Sequence, residues 1–411
     1  MATVSPHVPA GPAHVATVSF LASRAAPAGG FWVALAGGVA LARVAQRQGA
    51  RQGFGASIAA MLETVALMGP ARFGIPLTQA ITAPLLGRLE ARGVGTVPQT
   101  IVCGVLRTLQ NTVTTAFFIW VIAGGLDAYA GSYDAVLGRV LGVDVDNTDA
   151  LVLTGVSLLA WSVFASTVQV LVYQRGLRDW DESRPDEPEP AAHPPPPPAG
   201  GSAFRGRFDP RLVAAAAAVA FALLIASTAW PVLIGVSVWL ALAWALSRPD
   251  PAPVRTGLAL TALIAFGALV FTLTAGLSAD LVVRRTLRAA LLVLVATWLR
   301  AAAGADGLRE VSRRGLGRLR RLPALPEAAR TLDELGSEGR LIAAARALAD
   351  SLAGVEKRPL TIVDAVLGWV RRESAGYRSV APAPHPALRA RPADWLLVAL
   401  AFAPAAALGL A

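Results

Sequence analysis

The sequence predicts an all-α fold: a polytopic α-helical integral membrane protein with about eight or nine spans. The composition is 55% hydrophobic and only 16% charged, and the mean hydropathy is +0.54. Uncharged runs such as Leu212–Leu246, Leu258–Ala275 and Trp395–Leu410 are as long as the roughly 17–25 residues that cross a bilayer, or about twice as long. A charged segment separates the last two spans and predicts a cytoplasmic module of amphipathic helices.

Residues 1–175 are predicted to form an N-terminal transmembrane domain whose role the residues do not indicate. A cluster of glycine, proline and arginine at residues 69–76 interrupts one of its apolar runs. A helix interior tolerates such a cluster badly, so we expect two short helices or a re-entrant hairpin there. The predicted apolar segments are Phe31–Val44, Ala56–Leu86, Thr112–Gly125 and Ala150–Tyr173.

Residues 176–209 are predicted to be a linker. The segment is acidic at first and then contains the unbroken proline run Pro194–Pro198, which cannot form a helix or bury a core. It is either a variable solvated loop or a ligand for a proline-recognition domain.

Residues 210–303 are predicted to hold further transmembrane helices, and residues 393–411 the last one. Between them, residues 304–392 mix both signs of charge with leucine and alanine, which predicts three or four amphipathic helices. Glycine or proline should break these helices near residues 315–317, 323–326, 336–339 and 359. The helices could lie along the membrane surface without a partner or pack against one.

The charge pattern indicates orientation. The net charge of +10 comes almost entirely from arginine, because Lys357 is the only lysine. Arginines lie at the ends of alternate segments, so the positive-inside rule places the linker and residues 303–392 in the cytoplasm and residues 127–149 outside. We therefore predict a multi-pass protein of a bacterial inner membrane. Because the arginines are spread over many helix ends and are not gathered on one soluble domain, they also argue against nucleic acid as a partner.

One group of arginines conflicts with this topology. Arg284, Arg285 and Arg288 fall at the predicted outer end of their helix. Either they extend to the outer headgroups or that helix is placed wrongly.

No catalytic motif stands out, and the sequence predicts no enzyme, no cofactor and no metal. A P-loop ATPase is excluded because the lone lysine is not in a Walker A loop, and the single cysteine, Cys103, excludes a cysteine zinc site. Asp144, Asp146 and Asp149 match a calcium loop or a diphosphate–magnesium site only in part, and a solvated outer loop explains them as well.

Two polar residues are candidates for function inside the membrane. Glu63 lies in an apolar stretch with Arg72 nearby, and an ionisable residue in a span is a functional candidate by default. Alternatively, Glu63 faces water in a hairpin or belongs to an interfacial helix. Arg107, beside Gln110 and Asn111, is predicted to anchor its span at the interface.

The C-terminal half resembles the transmembrane T component of energy-coupling factor (ECF) transporters. The resemblance begins at Phe208-Asp209-Pro210-Arg211-Leu212, continues through Arg284-Arg285-Thr286-Leu287-Arg288 and Gly307-Leu308-Arg309-Glu310-Val311, and includes the helical module before the last span. In that family two Ala-Arg-Gly-like motifs dock on paired ATPases. The nearest matches are Ala329-Arg330-Thr331 and Ala345-Arg346-Ala347, both without the glycine.

The resemblance implies that Arg330 and Arg346 dock on ABC-type ATPase subunits. It also implies a second partner in the bilayer, a substrate-binding membrane subunit. The chain would then be a transporter coupling scaffold. The alternative is a non-transport membrane protein, either a structural or assembly factor or a lipid-processing enzyme.

Overall fold

The structure, a computed structural model, describes residues 9–25, 29–70, 75–142, 144–182, 208–248, 251–274, 278–319, 321–377 and 388–405. Every regular element in these ranges is a helix, which confirms that the fold is all-α. The α-helices are α1 Ala10–Ala25, α2 Gly30–Gln48, α3 Ala50–Met68, α4 Ile75–Ala91, α5 Thr96–Phe117, α6 Leu126–Leu141, α7 Asn147–Glu182, α8 Pro210–Ala226, α9 Trp230–Ser247, α10 Pro251–Thr274, α11 Ala279–Arg318, α12 Ala324–Glu334, α13 Glu338–Ala353, α14 Pro359–Gly376 and α15 Pro392–Phe402. A π-helix, Phe118–Ala123, continues α5.

Glycine and proline set several of the boundaries. Gly69 has a φ of 83°, which suits glycine and ends α3. The apolar run Ala56–Leu86 is therefore two helices, α3 and α4. In the charged segment the three helices α12, α13 and α14 are separated near residues 335–337 and 354–358, close to the predicted breaks.

The first group of helices, here called the mixed bundle, consists of α1–α4 with α12–α14. Its members share one hydrophobic core. Helix α1 lies at the centre, with α2, α3, α13 and α14 around it, and its core residues such as Val15, Val18 and Phe20 are fully buried. The amphipathic helices thus pack against the N-terminal helices.

Close approach of α4 and α7 to α2 depends on glycine. A Cβ atom at Gly87 would lie 1.9 Å from the carbonyl oxygen of Ala42, and one at Gly38 would lie 1.9 Å from the hydroxyl oxygen of Tyr173. Neither position has room for a larger residue without backbone or ring movement.

The second group, here called the apolar bundle, consists of α8, α9, α10, α15 and the first part of α11. Its core centres on Trp298, which is fully buried and packs edge-on against Trp239 at 5.2 Å between ring centroids. The indole nitrogen of Trp239 donates to the carbonyl oxygen of Leu397 at 3.2 Å. This hydrogen bond connects α15 to α9.

Between the two bundles, α5 and α7 pack side by side; with the π-helix and α6 they form the α5–α7 hairpin, Thr96–Glu182. Exposed large apolar side chains concentrate on α5, α7, α9, α10 and α15. In the mixed bundle only Ile81 and Leu360 among the described helical residues are of this kind. The mixed bundle is therefore polar outside, whereas the other helices present apolar faces.

Three described helices are long and apolar enough to cross a membrane: α7 over Asn147–Trp180, α9 and α11. A fourth crossing results if Thr96–Ala123 and Leu126–Gly138, bent by 91°, are counted together. This is fewer than the eight or nine spans predicted. None of the candidates belongs to α1–α4.

Helix α11 takes part in both bundles. It has 40 residues and a break at Gly304, whose φ of 68° and ψ of 164° are not helical. Before the break, residues such as Val295 and Trp298 belong to the core of the apolar bundle. After it, Ala305 and Leu316 belong to the core of the mixed bundle.

Candidate functional site

The candidate site is the joint where α11 meets α3. The carboxylate of Glu63 on α3 is fully buried and accepts two hydrogen bonds from the guanidinium of Arg309, one of them 2.7 Å from Nε to Oε2. The same guanidinium donates to the carbonyl oxygen of Gly336 at 2.9 Å. One ion pair therefore connects α3, the second part of α11 and the link between α12 and α13.

A second arginine connects α11 to α3 on the other side of the Gly304 break. Nε of Arg300 donates to the carbonyl oxygen of Leu67 at 3.0 Å, at the end of α3 where carbonyl groups lack helical partners. Its Nη2 atom also donates to Glu338 at 2.6 Å. Because cations are favoured at a helix C-terminus, the contact between Arg300 and Leu67 also stabilises the end of α3.

Further contacts connect the amphipathic helices α12–α14 to the N-terminal helices α1 and α3. Arg51 on α3 pairs with Glu327 on α12 at 2.5 Å. Tyr377 stacks on His14 of α1 with ring centroids 4.6 Å apart, and its hydroxyl donates to the carbonyl oxygen of Glu334 at 2.6 Å. Burial raises the pKa of Tyr377 to about 12, so this hydroxyl stays protonated and able to donate.

The structure therefore locates Glu63 inside the mixed bundle, not facing water as one sequence-based alternative had it. Arg72, the other candidate, lies outside the described residues. In the sequence, Arg309 is distinguished only as part of the ECF-like segment Gly307-Leu308-Arg309-Glu310. No local pattern could have paired it with Glu63, because the two residues are 246 positions apart.

Arg330 and Arg346 lie on the outward faces of their helices. On α12 the buried residues include Leu325, Ala328 and Leu332, and the side chain of Arg330 is 62% exposed. On α13 the buried residues are Leu341, Ala345 and Leu348, and Arg346 is exposed. Both guanidinium groups can thus be reached from outside the mixed bundle.

The first of the ECF-like segments forms a helix start. Asp209 caps α8, accepting hydrogen bonds from the backbone N–H and the guanidinium of Arg211. Burial alone would raise the pKa of Asp209, but the hydrogen bonds from Arg211 outweigh it and lower that pKa.

The arginines that conflicted with the predicted topology have defined partners. Arg285 donates to the carbonyl oxygen of Gly124 at 2.9 Å, and the buried Arg288 donates to the carbonyl oxygens of Trp120 and Val121. Their charges therefore cap the end of the π-helix, where carbonyl groups are exposed. Arg284 pairs with Asp280 in the preceding turn of its own helix.

The aspartates at 144–149 are exposed and help to begin α7. Asp146 Oδ1 accepts the backbone N–H of Asp149 at 2.8 Å, as an N-cap does. Asn147 donates to Asp127 at 2.6 Å. Within the described ranges, no three His, Cys, Asp or Glu side chains lie together as a metal site would require.

Arg107 is buried, with 5% of its surface exposed, so the prediction of an interfacial anchor is wrong. The sequence could not show this, because the side chain that Arg107 contacts, Gln169 on α7, lies 62 positions away in the chain.

No protein-family model matches the chain, and no curated protein or solved structure matches it either. The contacts described above are therefore the basis for the function proposed next.

Proposed function

We propose that the chain is a multi-pass coupling scaffold of the bacterial inner membrane, with a role like that of the ECF T component. The observation that supports this most is the path of α11, which belongs to the cores of both bundles and is held to α3 on either side of Gly304. A displacement of the amphipathic helices would therefore move a helix that continues into the apolar bundle.

In this proposal the apolar bundle and the α5–α7 hairpin lie in the bilayer, because their outward side chains are apolar. Helix α7 has 36 residues, about 54 Å at 1.5 Å per residue, and the part of α11 before the Gly304 break, residues 279–303, measures about 37 Å. Both exceed the roughly 30 Å hydrocarbon core, so each would extend from the bilayer toward the mixed bundle.

The mixed bundle would lie on the cytoplasmic side. Helices α12–α14 carry exposed charged residues such as Arg330, Arg346 and Arg372, which are costly in hydrocarbon. Because α1–α3 pack against these helices, we propose that α1–α4 also lie outside the bilayer. This differs from the sequence-based assignment of Phe31–Val44 and Ala56–Leu86 to spans.

The coupling path begins at the outer faces of α12 and α13, where paired ATPase subunits would bind through Arg330 and Arg346. A guanidinium can hold carboxylate or carbonyl groups in a fork. Motion of α12 would reach α3 through Arg51–Glu327, and α11 through Glu63–Arg309. The exposed apolar helices would contact a substrate-binding membrane subunit.

The test is recovery of ATPase with the tagged chain after mild detergent extraction from its native host. We expect wild type to retain a nucleotide-hydrolysing partner, and Arg330→Glu with Arg346→Glu to lose it. Arg318→Glu, an exposed charge at the end of α11, is the control and should retain it. No ATPase activity with wild type would refute the coupling role, whereas wild-type recovery by the double variant would refute only the choice of arginines.

The alternative remains a non-transport membrane protein, either a structural or assembly factor or a lipid-processing enzyme. It would gain support from an activity that requires a divalent metal and is lost on substitution of Asp144 or Asp149. Asp146 is the weaker candidate, since its carboxylate already caps α7.

A further inference from the structure

A line of buried polar side chains, here called the polar seam, runs between α4, α5 and α7. Nη2 of Arg107 donates to Gln169 Oε1 at 2.6 Å. The amide nitrogen of Gln169 donates to Gln79 Oε1 and Thr82 Oγ1, both at 2.8 Å. Tyr173 also donates to Gln79 Oε1 at 2.7 Å. One hydrogen-bonded network thus joins the three helices.

The seam contains a positive charge without a negative one. In the described part of the chain, no carboxylate forms a hydrogen bond or ion pair with Arg107. The nearest acidic member of the same interface is Glu90, which accepts from Gln99 at 2.7 Å. Gln99 and Arg107 are eight residues apart on α5, so about 12 Å along the helix axis. That distance is too long for an ion pair.

The seam also contains hydrogen-bond groups without partners. Among the described residues, Arg107 Nε and Gln79 Nε2 are fully buried and have none. Ser166 Oγ is also buried without a hydrogen bond of normal geometry, and it lies beside the Cys103 thiol. Leaving such groups unsatisfied is destabilising, and more so for a charged group. The two nitrogen atoms are donors only, and a hydroxyl can donate as well, so the missing partner is an acceptor.

The apolar surroundings of Arg107 make its unsatisfied hydrogen-bonding capacity more costly. The opposite face of α5 exposes Ile101, Val105 and Leu109, and α5 with the π-helix belongs to a candidate span. Arg107 lies near the middle of α5, since that helix covers residues 96–117. Bulk water at either end of the helix is therefore about 15 Å away along the axis, so an acceptor can reach Arg107 only along the seam.

Beyond the end of the seam nearer the mixed bundle, where α4 turns into α5, lies a pocket of about 290 Å³ whose walls include Glu90, Gln174 and Arg178. Gln174 follows Tyr173 in α7 and accepts a hydrogen bond from Thr96 at 3.0 Å. Polar side chains thus continue from the pocket to Arg107.

We propose that the polar seam binds a small oxyanion, a carboxylate or a phosphate group, with Arg107 as its counter-charge and Gln79 and Ser166 as further donors. The anion supplies the missing negative charge and the missing acceptor atoms together. It is a free solute that enters from the pocket, because a headgroup at the membrane surface would have to move to mid-helix. This site is separate from the α11–α3 joint and does not depend on the coupling role.

The experiment measures thermal unfolding of the purified full-length chain in detergent while sodium acetate or sodium phosphate replaces chloride at constant ionic strength. We expect a saturable rise in Tm with at least one of the two anions. Gln169→Glu should abolish this response, because its carboxylate would lie at the Oε1 position, 2.6 Å from Arg107, and act as an internal counter-ion. The same variant should have a higher Tm than wild type without added anion.

Ser166→Ala removes a donor without changing the charge, and should raise the half-saturating concentration about tenfold. It also covers the case in which Gln169→Glu does not fold. Arg92→Gln, an exposed arginine near the same end of the seam, is the control for net charge and should respond like wild type.

A second arm uses nanodiscs of phosphatidylcholine with and without phosphatidylglycerol. If only the anionic lipid raises Tm, and Gln169→Glu abolishes that rise, the oxyanion is a lipid headgroup and the free-solute source is wrong. If wild type responds in neither arm, or Gln169→Glu responds like wild type, the site itself is refuted.

Discussion

Helices α2 and α9 have 19 and 18 residues and are both rich in apolar residues, yet the structure surrounds them differently. In α2, residues such as Leu35, Val39 and Leu41 are fully buried among other helices. In α9, Ile234, Val238 and Leu242 remain about half exposed. A run of apolar residues therefore predicts burial, but only the neighbouring helices decide whether protein or lipid covers it.

The prediction with the largest expected effect concerns topology. A contrary result would contradict the difference drawn between α2 and α9. In a Cys103→Ala background, an impermeant thiol reagent should label Thr148→Cys on intact cells, and should label Arg24→Cys and Ser337→Cys only after permeabilisation. All three positions are exposed. If α2 crossed the bilayer with Arg43 and Arg47 inside, Arg24 at the end of α1 would be outside. Labelling of Arg24→Cys on intact cells would therefore contradict the proposed position of α1–α4.

The next effect concerns the charge pair inside the mixed bundle. Glu63→Ala should lower the free energy of unfolding by about 3–5 kcal/mol, because it leaves the guanidinium of Arg309 buried without its carboxylate. Thermal unfolding of the purified chain in detergent measures this. Glu356→Ala, which removes an exposed pair with Arg358, is the control and should change little. Equal Tm values for the two variants would show that Glu63 and Arg309 do not form a buried ion pair in solution.

A smaller loss is expected where α2 and α4 approach each other. Gly87→Ala should cost about 1–3 kcal/mol through overpacking, because the new Cβ would meet the backbone carbonyl of Ala42. Gly155→Ala is the matched control on α7, where nothing lies within 4 Å of the added atom. It should leave unfolding unchanged or delay it slightly. If both variants unfold at the wild-type temperature, the two helices do not pack as closely as described.

The smallest effect is expected at the surface between α7 and α14. Arg175 and Asp364 pair at 3.1 Å with about half of each side chain exposed. Asp364→Asn should cost less than about 1 kcal/mol, and the loss should shrink further as salt screens the pair. Unfolding followed at low and high ionic strength tests this. A loss as large as that of Glu63→Ala would mean that the two ion pairs do not differ as their burial indicates.

The all-α class followed from composition, and the starts and ends of α12–α14 followed from glycine and proline positions. Helix α1 was missed, because Ala, Ser, Thr and Val give it no long apolar run, and its burial comes entirely from neighbouring helices. Glu63 could be singled out as an unusual charge among apolar residues. Its partner Arg309 could not be assigned, because contacts between distant segments leave no local periodicity.

The spacing between Arg300 and Arg309 has a consequence for how the chain can vary. Both arginines reach the last two turns of one helix, α3, at Leu67 and Glu63, and Gly304 lies between them. Adding or removing one residue in this interval would rotate one guanidinium by about 100° relative to the other, so only one of them could still face α3. The interval thus sets a rotational phase between the two parts of α11. We expect its length to be fixed even where the residues themselves can change.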